Sequence, residues 1–286
     1  MNKRIPRAPR RTSAVVALCG ALALSAGGCT AADGGGDGEG RSAPRPAKVR
    51  LPEPGAAFDY QIGGPYKPPA GVRALARDRS AEPVPGLYNI CYVNAFQAQP
   101  ETEDWWRARY PDLLLRDGKG KLVVDRNWDE VLLDISTPAK RERLAGVVGT
   151  WIDGCAKDGF QAVEADNLDS DERSGGRLTA DDNAAFAKLI AARAHAAGLA
   201  IGQKNAAALT GRRGEIGFDF AISEECGQYD ECGVYADAYD GRVFDIEYRR
   251  DGLDAACAGW GRRISVVLRD LDVVPAGESG YRRRTC

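Results

Sequence analysis

Eight short segments of β-forming residues succeed one another along the chain, at residues 58–63, 72–79, 87–94, 160–166, 199–204, 218–224, 242–247 and 264–271. Helical patterns separate several of them. The clearest cover 138–157, with Thr137 as cap, and 179–197, which opens Thr-Ala-Asp-Asp and stops before Gly198. Strands in alternation with helices must lie parallel, because a parallel connection crosses back over one face of the sheet. Eight such repeats predict a closed (β/α)8 TIM barrel. The third connection is long and those after the fifth and sixth strands are short, so the barrel should be irregular. The rival, a doubly wound open sheet, carries a glycine-rich phosphate turn after its first strand, and Gly63-Gly64-Pro65 lacks that spacing.

The barrel accounts for residues 56–286. Before it, Lys3, Arg4, Arg7, Arg10 and Arg11 precede an apolar stretch, 13–26, too short for an ordinary membrane span. Residues 1–28 therefore read as a lipoprotein signal peptide. Leu24-Ser-Ala-Gly-Gly-Cys29 places small residues before a cysteine in the manner of a bacterial lipobox, which makes Cys29 the expected lipidation site and membrane anchor. An ordinary signal-peptidase site is the alternative. Residues 29–55 are rich in Gly, Asp, Ala and Pro and read as a disordered tether. The expected location is the outer face of the cytoplasmic membrane or the extracellular space. Residues 1–28 hold five of the 39 basic side chains and none of the 41 acids, leaving 34 against 41, a formal −7 that disfavours nucleic acid as partner. The barrel is expected to act as a monomer.

Cys19 and Cys29 aside, six cysteines remain, and an even number outside the cytoplasm points to disulfides. Local spacing pairs Cys226 with Cys232, and barrel topology pairs Cys91 with Cys155 and Cys257 with Cys286. No Cys-x-x-Cys pair exists and there is one histidine, so neither a zinc site nor any other metal or cofactor is expected. The run from Asp166 to Glu172 lacks the glycine and distal glutamate of a calcium loop.

Barrel chemistry collects at the carboxyl ends of the strands. Those ends hold Tyr60 and Gln61, Asp78, Tyr92 and Asn94, Asp166 and Asn167, Lys204 and Asn205, Glu224 and Glu225, Glu247 and Tyr248, and Arg269 and Asp270. His195, the single histidine, falls in an Ala-rich helix, so a Ser-His-Asp triad and a Cys-His dyad both lack a part. Two carboxyl groups suffice for cleavage of a glycosidic bond: one protonates the leaving oxygen while the other supports the oxocarbenium-like centre. Asp166 and Glu224 are the expected pair. Glu225 competes, because strand phase alone does not fix which acid points inward, and Glu247 is a third candidate. Glu164, one layer deeper than Asp166, is expected to hold the site in shape. Tyr60, Tyr66, Tyr92, Trp105, Trp106, Trp128, Tyr229 and Tyr248 could stack on sugar rings, although Trp105 and Trp106 can equally pack as helix core.

Phe58-Asp-Tyr-Gln-Ile-Gly63, Cys91-Tyr-Val-Asn94, Trp128 with Leu133-Asp-Ile135, Gly159-Phe-Gln-Ala-Val-Glu-Ala-Asp-Asn167, Gly202-Gln-Lys-Asn205, Glu224-Glu-Cys-Gly-Gln-Tyr-Asp-Glu-Cys232 and Ile246-Glu-Tyr248 occur in consistent order over 56–275. Together they resemble glycoside hydrolase family 114, the endo-α-1,4-polygalactosaminidase family. The resemblance implies a TIM barrel, internal cleavage of α-1,4-linked galactosamine polymers, and catalysis by Asp166 and Glu224. Substrate contacts are expected from Tyr60, Gln61, Asn94, Asn167, Lys204, Asn205, Glu225, Tyr229, Glu247 and Tyr248. The first strand departs from the family's tryptophan-rich form, with Phe58 and Tyr60 in place. An acidic rim comprising Asp166, Asp169, Asp171, Glu172, Glu224, Glu225, Asp230 and Glu231 would attract a cationic, deacetylated polymer. The alternatives are a non-catalytic carbohydrate-binding lipoprotein and a glycosidase for another α-linked exopolysaccharide.

Overall fold

The computed structural model describes residues 49–286. The expected signal peptide, Cys29 and most of the expected tether lie outside the described residues. Three strands open the chain, β1 (Phe58–Gln61), β2 (Ala74–Asp78) and β3 (Tyr88–Asn94). The long third connection contains β4 (Gln97–Ala98), α1 (Glu103–Arg109), β5 (Val124–Asp125) and β6 (Glu130–Leu132), the three strands pairing as a small separate sheet. Helix α2 (Pro138–Asp158) leads to β7 (Ala162–Asp166), and α3 (Ser170–Arg173) and α4 (Ala180–Ala196) lead to β8 (Ala200–Lys204). Then come α5 (Arg213–Ile216), β9 (Phe220–Glu224), α6 (Cys232–Ala238), β10 (Val243–Glu247), α7 (Arg250–Trp260), β11 (Ser265–Arg269) and a terminal β12 (Arg283–Thr285).

The main sheet runs β1-β2-β3-β7-β8-β9-β10-β11 in parallel, with β12 antiparallel on β11. These eight parallel strands are the eight expected from sequence, each trimmed by a residue or two at its ends. Side chains alternate between faces with period two. Phe58 and Tyr60, Ala74 and Ala76, Tyr88 and Ile90, Ala162, Ala200, Phe220 and Ile222, Phe244 and Ile246, and Val267 form one buried apolar cluster. All eight strands contribute to it, which requires the sheet to curl around its own inner face: this is a TIM-type barrel. The opposite faces, among them Val93, Val163, Ile201 and Ala221, pack beneath Leu144, Val148 and Ile152 of α2 and Phe186 and Ile190 of α4. Strands β1 and β11 meet at a seam without a ladder of their own. Side chains bridge it: Ser265 Oγ donates to Ala56 O, and Arg283 of β12 donates to Asp59 Oδ1 at 2.8 Å and Phe58 O at 3.0 Å.

Helix ends follow the sequence signals. Thr137 Oγ1 accepts from Lys140 N at the start of α2, and Gly159, at φ 94°, supplies the left-handed residue that ends it. Thr179 and Asp182 form a reciprocal capping box at α4. The disulfides are Cys91–Cys155, Cys226–Cys232 and Cys257–Cys286, as spacing and topology predicted. They tie β3 to α2, close the loop after β9, and hold the terminal strand to α7.

One expectation needs correction. Contact with the barrel extends to residues before 56: Tyr88 OH donates to Arg50 O at 2.8 Å, Val49 packs on the barrel's inner cluster, and Pro52 is buried. The expected tether is therefore held to the barrel at Val49 and Arg50, with Pro52 buried between exposed neighbours. Of the two readings of Trp105 and Trp106, helix core is the one found. Trp106 is fully buried, and the two rings pack with Tyr110 and Trp151, because α1 uses them to bury its face against α2.

Candidate active site

The carboxyl ends of the strands open on a cavity of about 430 Å³ whose lining includes Tyr92, Trp128, Glu130, Asp166, Lys204, Glu224 and Tyr248. Three of these are the final residues of β7, β8 and β9. Each shares the inward phase of its strand, and each strand is followed at once by a left-handed residue: Asn167 at φ 67°, Asn205 at φ 49° and Glu225 at φ 60°. The backbone thus turns sharply out of the barrel and leaves Asp166, Lys204 and Glu224 in its mouth. Asparagine tolerates that conformation through its short polar side chain. Glu225 lacks that excuse and is held there by its own N–H, which donates to Ile246 O at 2.8 Å.

Lys204 organises the site. Its ammonium is buried and touches four oxygens, Glu164 Oε1 at 3.0 Å, Tyr60 OH at 3.1 Å, Asp166 Oδ1 at 3.3 Å and Glu224 Oε2 at 3.4 Å. Burial alone would push its pKa down. Asp166, Glu224, Tyr60 and Glu164 outweigh that and hold it well above the usual lysine value, so it stays charged.

Asp166 is partly buried, which by itself raises a carboxyl pKa, yet the net displacement is downward. Lys204, the Tyr92 hydroxyl on Oδ2 at 2.7 Å and the Asn167 N–H on Oδ1 at 2.9 Å all favour its anion. Glu224 is held differently. Its Oε2 accepts from Asn205 Nδ2 at 2.9 Å, its Oε1 accepts from Tyr248 OH, and its own N–H donates to Asn205 Oδ1 at 2.7 Å. Burial pushes the Tyr92 and Tyr248 hydroxyls well up, followed by the nearby carboxylates, so both remain donors. One layer deeper, Glu164 accepts from Tyr60 OH at 2.8 Å, and burial lifts its carboxyl to about 7. It supports Lys204 from below, as expected of a residue one layer down.

Strand phase decides between the neighbouring acids. Phe220, Ile222 and Glu224 face inward, and Glu225 is not part of the cavity wall. Glu247 and Gln61, both expected to touch substrate, lie on the outer faces of their strands. Glu247 accepts from Gly227 N at 2.7 Å beside Asp245, and Gln61 donates to Asp59 Oδ2 at 2.8 Å and accepts from Arg77. The alternation that puts Ile246 and Tyr60 inside puts them outside. Tyr229 is 61% exposed and lies off the cavity. Tyr60 and Asn94 sit under its floor as supports, whereas Asn167, Lys204, Asn205 and Tyr248 line it. His195 bonds Asp219 Oδ2 at 2.8 Å, away from this mouth.

Glu130 was not expected. It stands on β6 of the small sheet, in the long third connection, and reaches the cavity beside Asp166. Asn94 Nδ2 donates to its Oε2 at 2.8 Å and Asn167 Nδ2 at 3.4 Å. Burial is the main cause that raises its carboxyl to about 7. A three-residue strand off the barrel gives no periodic signal; the adjacent Trp128, 55% exposed at the mouth, was the only hint.

The architecture recurs in solved structures. Ega3 from Aspergillus fumigatus, in complex with galactosamine, superposes with a TM-score of 0.65 at 22% identity over 87% of this chain and 100% of that one. The glycoside hydrolase domain of PelA from Pseudomonas aeruginosa does so at 0.54 and 13% identity in a variant form and at 0.51 and 15% unmodified, covering 79% of this chain and 99% of that domain in both. No curated protein sequence matches the chain. The model of glycoside-hydrolase family GH114 matches residues 39–286, the whole barrel and the segment leading into it. The chain belongs to glycoside hydrolase family GH114 and is a glycosidase.

Proposed function

We propose that this protein is an exported, lipid-anchored hydrolase that cleaves α-1,4-linked galactosamine-containing polysaccharide internally, with Asp166 as nucleophile and Glu224 as acid and base. The observation that carries it is the single Lys204 ammonium in contact with both carboxyl groups. Its two spokes, 3.3 and 3.4 Å, confine those oxygens to a separation below about 6.7 Å, a range that includes the close spacing of glycosidases that attack the sugar directly. Asp166, held ionised, suits attack on the anomeric carbon. As that bond forms, the glycosidic C–O bond breaks and the Glu224 proton passes to the leaving oxygen. Water then attacks the glycosyl-enzyme, gives its proton to Glu224, and releases Asp166. Asn205 and Tyr248 fix the acid while Tyr92 fixes the nucleophile.

Galactosamine as the sugar is supported by the ligand of Ega3 and by the charge of the cavity, whose wall holds Asp78, Glu130, Asp166, Asp169, Glu224 and Asp272 against Arg173 and Lys204. Such a field favours a polycation. Internal cleavage rests on the family resemblance, and export and anchoring rest on the 1–28 pattern and Cys29. The test is product analysis with protein lacking residues 1–28. Galactosamine polymer should yield oligosaccharides that retain the α configuration, and Asp166→Asn and Glu224→Gln should each lower kcat by about a thousandfold or more. First products of β configuration would remove Asp166 from the nucleophile's role. Binding without any product from any amino-sugar polymer would leave a carbohydrate-binding lipoprotein.

A further inference from the structure

Several of the charges around the cavity are satisfied by one another. Lys204 is shared among Glu164, Asp166 and Glu224. Arg173 pairs with Asp125 at 3.0 Å and with Asp169, and also donates to Asn167 Oδ1 at 3.2 Å. Asp78, Asp272 and Glu130 are the exceptions, and Glu130 is the one bonded to Asn167, the residue next to Asp166. Among the described residues it faces the cavity with no cation at ion-pair distance, held only by the neutral amides of Asn94 and Asn167. Those amides are themselves fixed: Asn167 Nδ2 donates to Asn94 Oδ1 at 3.0 Å, and Asn94 Oδ1 also accepts from Gln97 N at 3.2 Å. Both amides donate to Oε2, so the carboxyl group is held at that oxygen and left without a positive partner at ion-pair distance.

Its place matters as much as its valence. Asn167 directly follows the nucleophile, and Asn94 pairs with Asp166 across β3 and β7. Glu130 therefore sits beside the point where the anomeric carbon must lie. In a 2-amino sugar the amine is borne by the carbon next to that one, so the group that reads it has to stand here. We infer that Glu130 is the specificity-determining residue that recognises the free ammonium of the hexosamine at the cleavage point, selecting it over its N-acetylated counterpart. The inference rests on the galactosamine reading above and adds the residue that enforces it.

The chemistry is that of a charge-assisted hydrogen bond formed in a partly dried pocket. Burial and the neighbouring Asp166 and Asp125 disfavour the Glu130 anion, while the Asn94 bond and Arg173 favour it. An arriving ammonium supplies the missing counter-charge. An acetamido group cannot, and it would set its own bulk and carbonyl against the carboxyl group. Glu130→Gln keeps the shape and the Asn contacts and removes the charge.

The experiment compares defined α-1,4-galactosamine hexamers, free-amine and fully N-acetylated, with wild type, Glu130→Gln and Glu130→Asp. Wild type should prefer the free amine, and Glu130→Gln should shrink the ratio of the two kcat/KM values by about tenfold to a hundredfold, mainly through KM on the amine. Glu130→Asp should recover part of the ratio. Equal losses on both hexamers, or an unaltered ratio, would overturn the assignment. Calorimetry in an Asp166→Asn background separates this from the parent reading. If wild type cleaves neither hexamer, hydrolysis of this polymer falls, yet a preference for bound free amine that Glu130→Gln abolishes still supports Glu130. Absence of that preference in the Glu130-bearing protein overturns it.

Discussion

Replacing Lys204 by methionine tests the electrostatic basis of the site most directly. Met fills the volume of the side chain and removes the ammonium. At 3.3 Å and an effective dielectric near 20, the attraction to Asp166 is worth about 5 kcal/mol. Asp166 is 18% exposed, so water takes a share; half the attraction still amounts to about a hundredfold in the balance between carboxylate and carboxylic acid. Since Lys204 is the leading opponent of burial in keeping Asp166 ionised, its loss moves the acid limb of the activity profile to higher pH. At acidic pH, kcat/KM should fall by about that hundredfold. The fold should survive. Glu164 already sits at about 7 with the lysine present, so it takes a proton once the lysine is gone and keeps its bond to Tyr60, holding the loss of stability near the lower end of the about 3–5 kcal/mol typical of a broken buried pair. The assay is kcat/KM on galactosamine polymer from pH 4 to 9, with thermal melts to verify folding. Glu164→Gln serves as the second variant, because it leaves more of the Lys204 charge to Asp166 and should shift the same limb downward or not at all. If Lys204→Met folds and its acid limb coincides with that of wild type, Lys204 does not hold Asp166 ionised and the reasoning fails.

On the outer face of β10, Asp245 and Glu247 form a buried acid pair that clamps the loop after β9, through Ser223 Oγ and Cys226 N on Asp245 and Gly227 N on Glu247. Burial first, and for Asp245 the charge of Glu247 next, raise their folded-state values, so the native protein binds more protons than the unfolded chain; their contribution is complete below the unfolded carboxylate range and is lost as pH rises through the raised values. The melting temperature should therefore fall less between pH 5 and 8 in Asp245→Asn/Glu247→Gln than in wild type, and parallel profiles would show that the pair does not take up that proton. Among the disulfides, loop entropy makes Cys91–Cys155, which spans 64 residues, worth about 4 kcal/mol and Cys226–Cys232, which spans 6, about 2. Chemical denaturation of the paired alanine variants should rank them in that order, while kcat should suffer more from loss of the shorter bridge, which borders the Glu224 strand end; the reverse ranking in stability would count against the entropic account.

Much of this arrangement was legible before any coordinates, and for a local reason. Strand and helix periods are written in neighbouring residues, so eight β segments with helices between them were enough to expect the barrel, and the strand-end rule then pointed to Asp166, Lys204 and Glu224. The capping residues Thr137 and Thr179 marked their helices, and the disulfide partners followed from spacing and topology. The same local rule failed where it carries a two-fold ambiguity. Period two says that Glu224 and Glu225 face opposite ways but not which faces in, and it says nothing to prefer Ile246 over Glu247 for the interior.

Closure of the barrel resolved that ambiguity, because only one phase of each strand can bury Phe220 with Phe244 and Tyr60 around a common axis. Glu224 was thereby turned into the cavity, and Glu247 and Gln61 were turned out. Glu130 belongs wholly to the tertiary structure. It comes from a small sheet whose pairing brings residue 130 against residues 94 and 167, a juxtaposition across dozens of residues that no periodicity encodes. The sequence by itself determined which elements form and which side chains stand at their ends. The distances among those side chains, and so the sharing of one ammonium between two carboxyl groups, were decided only when register and closure fixed the strands relative to one another.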